Sequence, residues 1–134
     1  MKSFYLTVDS LTLNADNPTD ITFYLSEKLP YNFNRVGLRS LILLQPNEPI
    51  PEECYFVHCD LLNKDDNLYN GVKSDVLTFV VVTKSKKYIS YKYGGILYKY
   101  LKSSDFTSIR LSLTDQEANE ILLDRVVYEL EFIN

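Results

Sequence analysis

His58 is the one histidine in this chain of 134 residues, and Val57-His58-Cys59-Asp60 is where groups capable of chemistry lie closest together. Zinc would need Cys and His side chains that converge. In a strand, successive side chains point to opposite faces, so His58 turns away from Cys59 and shares its face with Asp60. Cys54 lies on the His58 face but four residues away, about 13 Å at strand rise. His58 therefore reads as a strand histidine on an exposed or interfacial face, not as a metal ligand or a base. Cys54 and Cys59 fall on opposite faces, about 16 Å apart, too far to bridge each other. They read as buried or half-buried thiols, which suits a reducing compartment.

Other catalytic patterns fail in the same way. Serines and aspartates are plentiful, but there is no Gly-x-Ser-x-Gly elbow to present a nucleophile. Gly94-Gly95 is an isolated pair, a turn and not a phosphate cradle. Asp60, Asp65 and Asp66 lack the spacing of a calcium loop and read as a solvated turn. The expectation is a protein that is not an enzyme, with no catalytic residue, metal ligand or cofactor.

The region from Lys84 to Lys102 carries more information. Lys84, Lys86, Lys87, Lys92, Lys99 and Lys102 interleave with Tyr88, Tyr91, Tyr93, Tyr98 and Tyr100. Basic residues among aromatics are what single-strand nucleic-acid grooves use. Tyrosine is also favoured at protein contacts, because it buries area and keeps a polar tip. The blander alternative is a surface loop whose tyrosines pack on neighbours. Acidic residues outnumber basic ones, 18 to 14, for a net charge of −4, which weighs against phosphate binding as the main task. The five tyrosines are the candidate interaction surface, and no specific nucleic-acid partner is expected.

Eight short apolar runs, broken by turn residues, must position these groups. Phe4, Leu6 and Val8 alternate with Tyr5 and Thr7; Ile109, Leu111 and Leu113 alternate with Ser108, Arg110 and Ser112. This is the two-residue period of strands. The runs predict strands at Phe4–Val8, Ile21–Leu25, Arg35–Leu44, Cys54–Leu62, Val76–Val82, Ile96–Leu101, Ser108–Leu113 and Glu120–Phe132. In the third, Val36, Leu38, Ile42 and Leu44 form one face; Leu41 and Leu43 join the other, so its end should be covered on both sides. Val76–Val82 is almost continuously β-branched and reads as a central strand buried on both faces. Pro46, Pro49 and Pro51 enforce an extended loop, and Asn70-Gly71 is a turn signal. Thr114–Asn119 reads as a hairpin loop or at most one helical turn. No run approaches transmembrane length, and Asp9 interrupts the N-terminal apolar run too early for a signal peptide. The chain is expected to be one domain, 1–134, made inside a cell. It is all-β: a single sandwich of eight antiparallel strands.

Particular segments carry a resemblance. Phe4-Tyr5-Leu6-Thr7, Thr22-Phe23-Tyr24-Leu25, Leu29-Pro30 and Arg35-Val36-Gly37-Leu38 resemble the opening of small capsid proteins in Polinton (Maverick) elements, adintoviruses and virophages. Tyr55-Phe56-Val57-His58-Cys59-Asp60-Leu61 and Ile109-Arg110-Leu111-Ser112-Leu113-Thr114-Asp115 resemble the same group. The chain departs from it in lacking the Trp of the third strand and in carrying Asn119 where a glycine is common; Asn tolerates the left-handed geometry that such a turn asks for. The resemblance implies a single jelly roll with sheets ordered B-I-D-G and C-H-E-F. It implies a penton, or minor capsid protein: a homo-pentamer at the capsid vertex of the virion, in contact with trimers of the major capsid protein, with no membrane partner. The alternative from another class is a sandwich that binds a carbohydrate or a receptor, or a host-domesticated capsid descendant.

Overall fold

Alternating apolar residues cannot bury one face without a second layer, and two layers form here. The computed structural model describes residues 2–134. Eleven strands occupy Ser3–Asp9 (β1), Asp20–Tyr24 (β2), Arg35–Leu44 (β3), Cys54–Cys59 (β4), Leu68–Tyr69 (β5), Val72–Lys73 (β6), Val76–Val81 (β7), Tyr88–Lys92 (β8), Lys99–Tyr100 (β9), Ser108–Thr114 (β10) and Arg125–Ile133 (β11), with one 3-10 turn at Lys64–Asp66. One sheet has the order β1-β11-β3-β8, with β9 also paired to β3; the second has the order β2-β10-β4-β7. All pairings are antiparallel. The protein is an all-β sandwich.

The core lies between the two sheets. Val126, Tyr128, Leu130 and Phe132 of β11 face Ile109, Leu111 and Leu113 of β10 and Tyr55, Val57 and Cys59 of β4, all buried. Each of these sets follows the two-residue alternation of its strand. Arg125 clamps β11 to β1 through two bonds to Asp9, Nε to Oδ1 at 3.0 Å and Nη2 to Oδ2 at 2.6 Å. Arg110 does the same between β10 and β2, bonding both oxygens of Asp20 at 2.9 and 2.8 Å. Each arginine holds its carboxyl below the usual aspartate range.

Four sequence expectations change. First, Val36, Leu38, Ile42 and Leu44 do not share one face, and the end of β3 is fully buried on one side only. Glu129 of β11 pairs with Ser40 and Leu130 with Leu38, so Arg39 is an extra residue without a partner on β11. This bulge reverses the parity of the strand. Val36 and Leu38 point inward before it, Leu41 and Leu43 after it, and Ile42 and Leu44 turn outward.

Second, Val76–Val82 is not a central strand. β7 is the last strand of its sheet, and Phe79 and Val81 are each 48% exposed. Third, of the expected strand Ile96–Leu101 only Lys99–Tyr100 is strand, and the longer strand here is Tyr88–Lys92. β8 and β9 lie along the same edge of β3, pairing Ser40–Leu44 and Arg35–Val36 respectively. Between them the chain leaves the edge and lays Ile96 and Tyr98 over Gly37. A Cβ at Gly37 would collide with Ile96 and come within 3.1 Å of Tyr98. The two-residue strands β5 and β6 add a hairpin that the eight-run reading lacks. Its turn is Asn70-Gly71, both at positive φ, 51° and 78°, as an Asn-Gly hairpin requires.

Fourth, β11 begins at Arg125 and not at Glu120. In the turn before it, Ala118 takes the left-handed position, φ 64°, in place of Asn119. Asp115 compensates: its carboxylate accepts from the backbone N–H of Glu117 and Asn119 at 2.9 and 2.8 Å, closing the loop as Asx turns do.

Candidate functional site

The candidate interaction tyrosines divide into two groups. Tyr88, Tyr91 and Tyr100 are exposed, at 55%, 38% and 54%. Tyr93 and Tyr98 are half-buried and serve the fold. The cause is register. Tyr91 pairs with the inward Leu41, so Tyr91 and Tyr93 lean into the open margin between the sheets, where their rings meet edge to face at 4.7 Å. Burial pushes the Tyr93 hydroxyl well above its ordinary pKa. Tyr88 pairs with the outward Leu44 and stands on the solvent face.

Tyr98 belongs to a polar network on the outer face of the β1-β11-β3 sheet. Its hydroxyl donates to Glu131 Oε1 at 2.9 Å. The Arg39 guanidinium lies 4.3 Å from the ring centre of Tyr5, a cation–π contact. Arg39 Nε is also 3.6 Å from Glu129 Oε1. The bulge delivers Arg39 to this face, and the Gly37 gap admits Tyr98. Both features make the outer face a built surface and not a random one.

The six lysines do not form one basic groove. Lys84, Lys86 and Lys87 sit in the exposed loop before β8. Lys92 stands on β8, and Lys99 Nζ is held by Asn67 Oδ1 at 2.8 Å in a part-buried bond. Lys102 is exposed just beyond β9, so the six are spread from the β7–β8 loop along the margin of the sheet to the chain after β9.

His58 has a more definite environment than an exposed strand face. Its Nδ1 lies 2.8 Å from Asp75 Oδ1 and its Nε2 lies 2.8 Å from Thr114 Oγ1. Asp75 precedes β7 and Thr114 ends β10, the two neighbours of β4. In the neutral ring the carboxylate fixes the proton on Nδ1, and Nε2 accepts from the Thr114 hydroxyl. His58 holds Asp75 below the usual aspartate range, against the opposing effect of burial. A shallow pocket of about 170 Å³ over this group is lined also by Asp60, Arg110 and Ser112.

An Asp–His–Thr line has the connectivity of a hydrolytic triad. Acyl transfer also needs free N–H donors aimed at the developing oxyanion. Thr114 is the last residue of β10, paired with Phe56 of β4 on one side and bridged to Glu120 on the other. The arrangement therefore reads as a cross-strand clamp joining three strands. The sequence reading found His58 and Asp60 on one face but missed Asp75 and Thr114. Only the pairing Ser112↔His58 brings Thr114 within reach, and pairing is not local information.

The two thiols lie as expected. Cys54 is half-buried and Cys59 is buried, both free. Desolvation pushes the Cys59 thiol up to about 12, so it is a packed apolar group and not a nucleophile. Among the described residues, no cluster of three or more His, Cys, Asp or Glu is arranged to hold a metal ion. No helix among them is long and apolar enough to cross a membrane. Compared with known proteins, the chain matches no family model and no curated protein.

Proposed function

We propose that this protein is a structural, self-associating jelly roll that forms the pentameric vertex of a capsid. The observation that carries this reading is strand order. With β1, β2, β3, β4, β7, β8, β10 and β11 lettered B to I, the two sheets read B-I-D-G and C-H-E-F. That is the arrangement of the viral jelly roll, and it supports the resemblance of the strand segments to small capsid proteins of Polinton elements, adintoviruses and virophages. On this reading β9 is the continuation of strand G after an excursion, and β5 and β6 are an insertion in the E–F connection.

A building block needs contact surface more than chemistry. The polar residues of this chain are largely engaged in holding strands together, as Arg110, Arg125, His58 and Tyr98 are. The exposed tyrosines Tyr88, Tyr91 and Tyr100 lie along the β8 margin, where a neighbouring subunit would pack. Five identical wedges close a ring through heterologous contacts, one margin of each against the other margin of the next. Trimers of a major capsid protein would surround that ring in the virion.

Electron microscopy of the concentrated, purified protein tests the reading. Five-fold rings are the expected particle. A field of single wedges at every concentration, with none recruited to capsid shells, would refute it.

A further inference from the structure

The net charge of −4 is gathered at one end of the sandwich. The loops β1–β2, β3–β4, β7–β8 and β10–β11 all lie there, since Asp9 pairs with Val127, Arg125 with Leu44, Leu44 with Tyr88 and Cys54 with Val81. These four loops hold eight carboxylates and three lysines, a charge of −5; the remaining residues hold ten carboxylates and eleven basic groups, a charge of +1. The three lysines, Lys84, Lys86 and Lys87, are all in the β7–β8 loop, which has no carboxylate.

That loop is fixed by its backbone and leaves its charges outside. The Lys86 carbonyl accepts from Ile50 N at 2.7 Å, and Ser85 Oγ donates to the Ile50 carbonyl at 2.7 Å. All three lysines are exposed, and none takes part in a salt bridge among the described residues. Of the eight carboxylates at this end, Glu48, Glu52 and Glu53 are in the β3–β4 loop beside the lysines, and the other five are in the β1–β2 and β10–β11 loops toward the other margin. There a groove of about 590 Å³ is lined by Ala15, Asp16, Asn17, Pro18, Leu122, Leu123 and Asp124, with Gln45 at its inner end. Leu122 is 82% exposed. The leucines beside two carboxylates suit a lysine, whose stem can lie on Leu122 and Leu123 and whose ammonium can reach Asp16 and Asp124, with Asn17 and Gln45 as further polar groups.

β7 and β8 close one margin of the sandwich, and β1 and β2 the other. The basic loop lies at the β7–β8 margin, and the groove runs from the β1–β2 loop inward to Gln45, whose N–H donates to the Lys87 carbonyl at 2.9 Å. The groove's carboxylates, Asp16 and Asp124, lie on the β1–β11 side of that residue. Two copies related by rotation about a ring axis present opposite sides to each other. We propose that the Lys84–Lys87 loop of one copy docks in the acidic groove beside Asp16 and Asp124 of the next copy, and that this contact directs self-assembly. The inference rests on the self-associating reading above and names the surface that it uses. An extended polyanion is a poorer occupant for the loop, because the carboxylates of the same end would repel it.

Sedimentation velocity on the full chain tests this, at low salt (about 0.05 M) and at about 0.5 M, where screening shortens the reach of exposed charges to a few Å. Wild type should assemble at low salt and weaken at high salt. The variant Lys84→Glu/Lys86→Glu/Lys87→Glu should bind its own kind at least roughly tenfold more weakly, and so should Asp16→Lys/Asp124→Lys. Both sets combined in one chain restore complementarity and should restore assembly. Thermal unfolding of each variant, expected to match wild type because these side chains are solvated, guards against misfolding. If wild type assembles and the reversed loop assembles equally well, this docking contact is wrong while self-association stands. A wild type that is monomeric throughout removes self-association itself, and the contact with it.

Discussion

Tyr93, the residue after β8, donates its hydroxyl to the carbonyl oxygen of Phe79 on β7 at 3.1 Å. The two strands belong to different sheets and share no backbone pairing, so this bond ties the sandwich shut along one margin. It also explains why a tyrosine that reads as part of a contact surface turns out to serve the fold. Tyr93→Phe keeps the ring and removes the bond. It should cost about 1 kcal/mol and lower the melting temperature by about 4 °C, measured by calorimetry. Tyr88→Ser, on the solvent face, should change stability by less than about 0.5 kcal/mol.

Tyr128 makes the opposite prediction. Its ring is fully buried, and its hydroxyl has no hydrogen-bond partner among the described residues. Burial pushes the hydroxyl far above its ordinary pKa. Removing an unsatisfied buried polar atom removes a desolvation cost. Tyr128→Phe should therefore raise stability by up to about 1 kcal/mol, read as a rise in the denaturant midpoint at unchanged slope. A loss of stability would mean that the hydroxyl is satisfied.

Gly37 tests the excursion between β8 and β9. The backbone of this buried glycine lets Ile96 and Tyr98 lie on the outer face. Gly37→Val should displace them and break the bond from Tyr98 to Glu131. Overpacking of this kind costs about 1–3 kcal/mol. Limited proteolysis should show new cleavage between residues 93 and 98, with the rest of the sandwich intact.

Acid stability follows from three carboxyls, each held below the ordinary value of 3.8: Asp75 chiefly by His58, Asp9 by Arg125 and Asp20 by Arg110. A depressed native pKa means that the unfolded chain binds the proton more tightly than the folded one. Their contribution is complete above 3.8 and is lost as the pH falls below it toward the native values. Stability should be flat with respect to these groups above about pH 5 and should fall on acidification. In Asp75→Asn the fall should be shallower, although the variant starts from lower stability at neutral pH. An identical slope in the variant would mean that the His58–Asp75 bond carries no linkage.

The legible parts of this fold are those written in local alternation. Phe4–Val8, Ile21–Leu25 and Ser108–Leu113 each present one apolar face, and each forms a strand within a residue or so of its run. The illegible parts depend on the neighbour. The change of phase from Leu38 to Leu41 is visible in the sequence, but its meaning as a bulge at Arg39 appears only against β11. Tyr88–Lys92 reads as a polar loop because an edge strand shows water one face and one side, so lysine and serine suit it. Val76–Val81 misleads in the reverse direction: an edge strand this apolar is unusual in a protein that stays alone. At the candidate site, His58 was found by composition, while Asp75 and Thr114 needed the register of β10 and β7 against β4.

Native mass spectrometry of the purified full-length chain tests the central claim most directly. The account predicts a discrete closed species at five times the 15.6 kDa chain mass, present at low salt and depleted as ionic strength rises. A single peak at the monomer mass over the whole concentration range, at low salt, would contradict it.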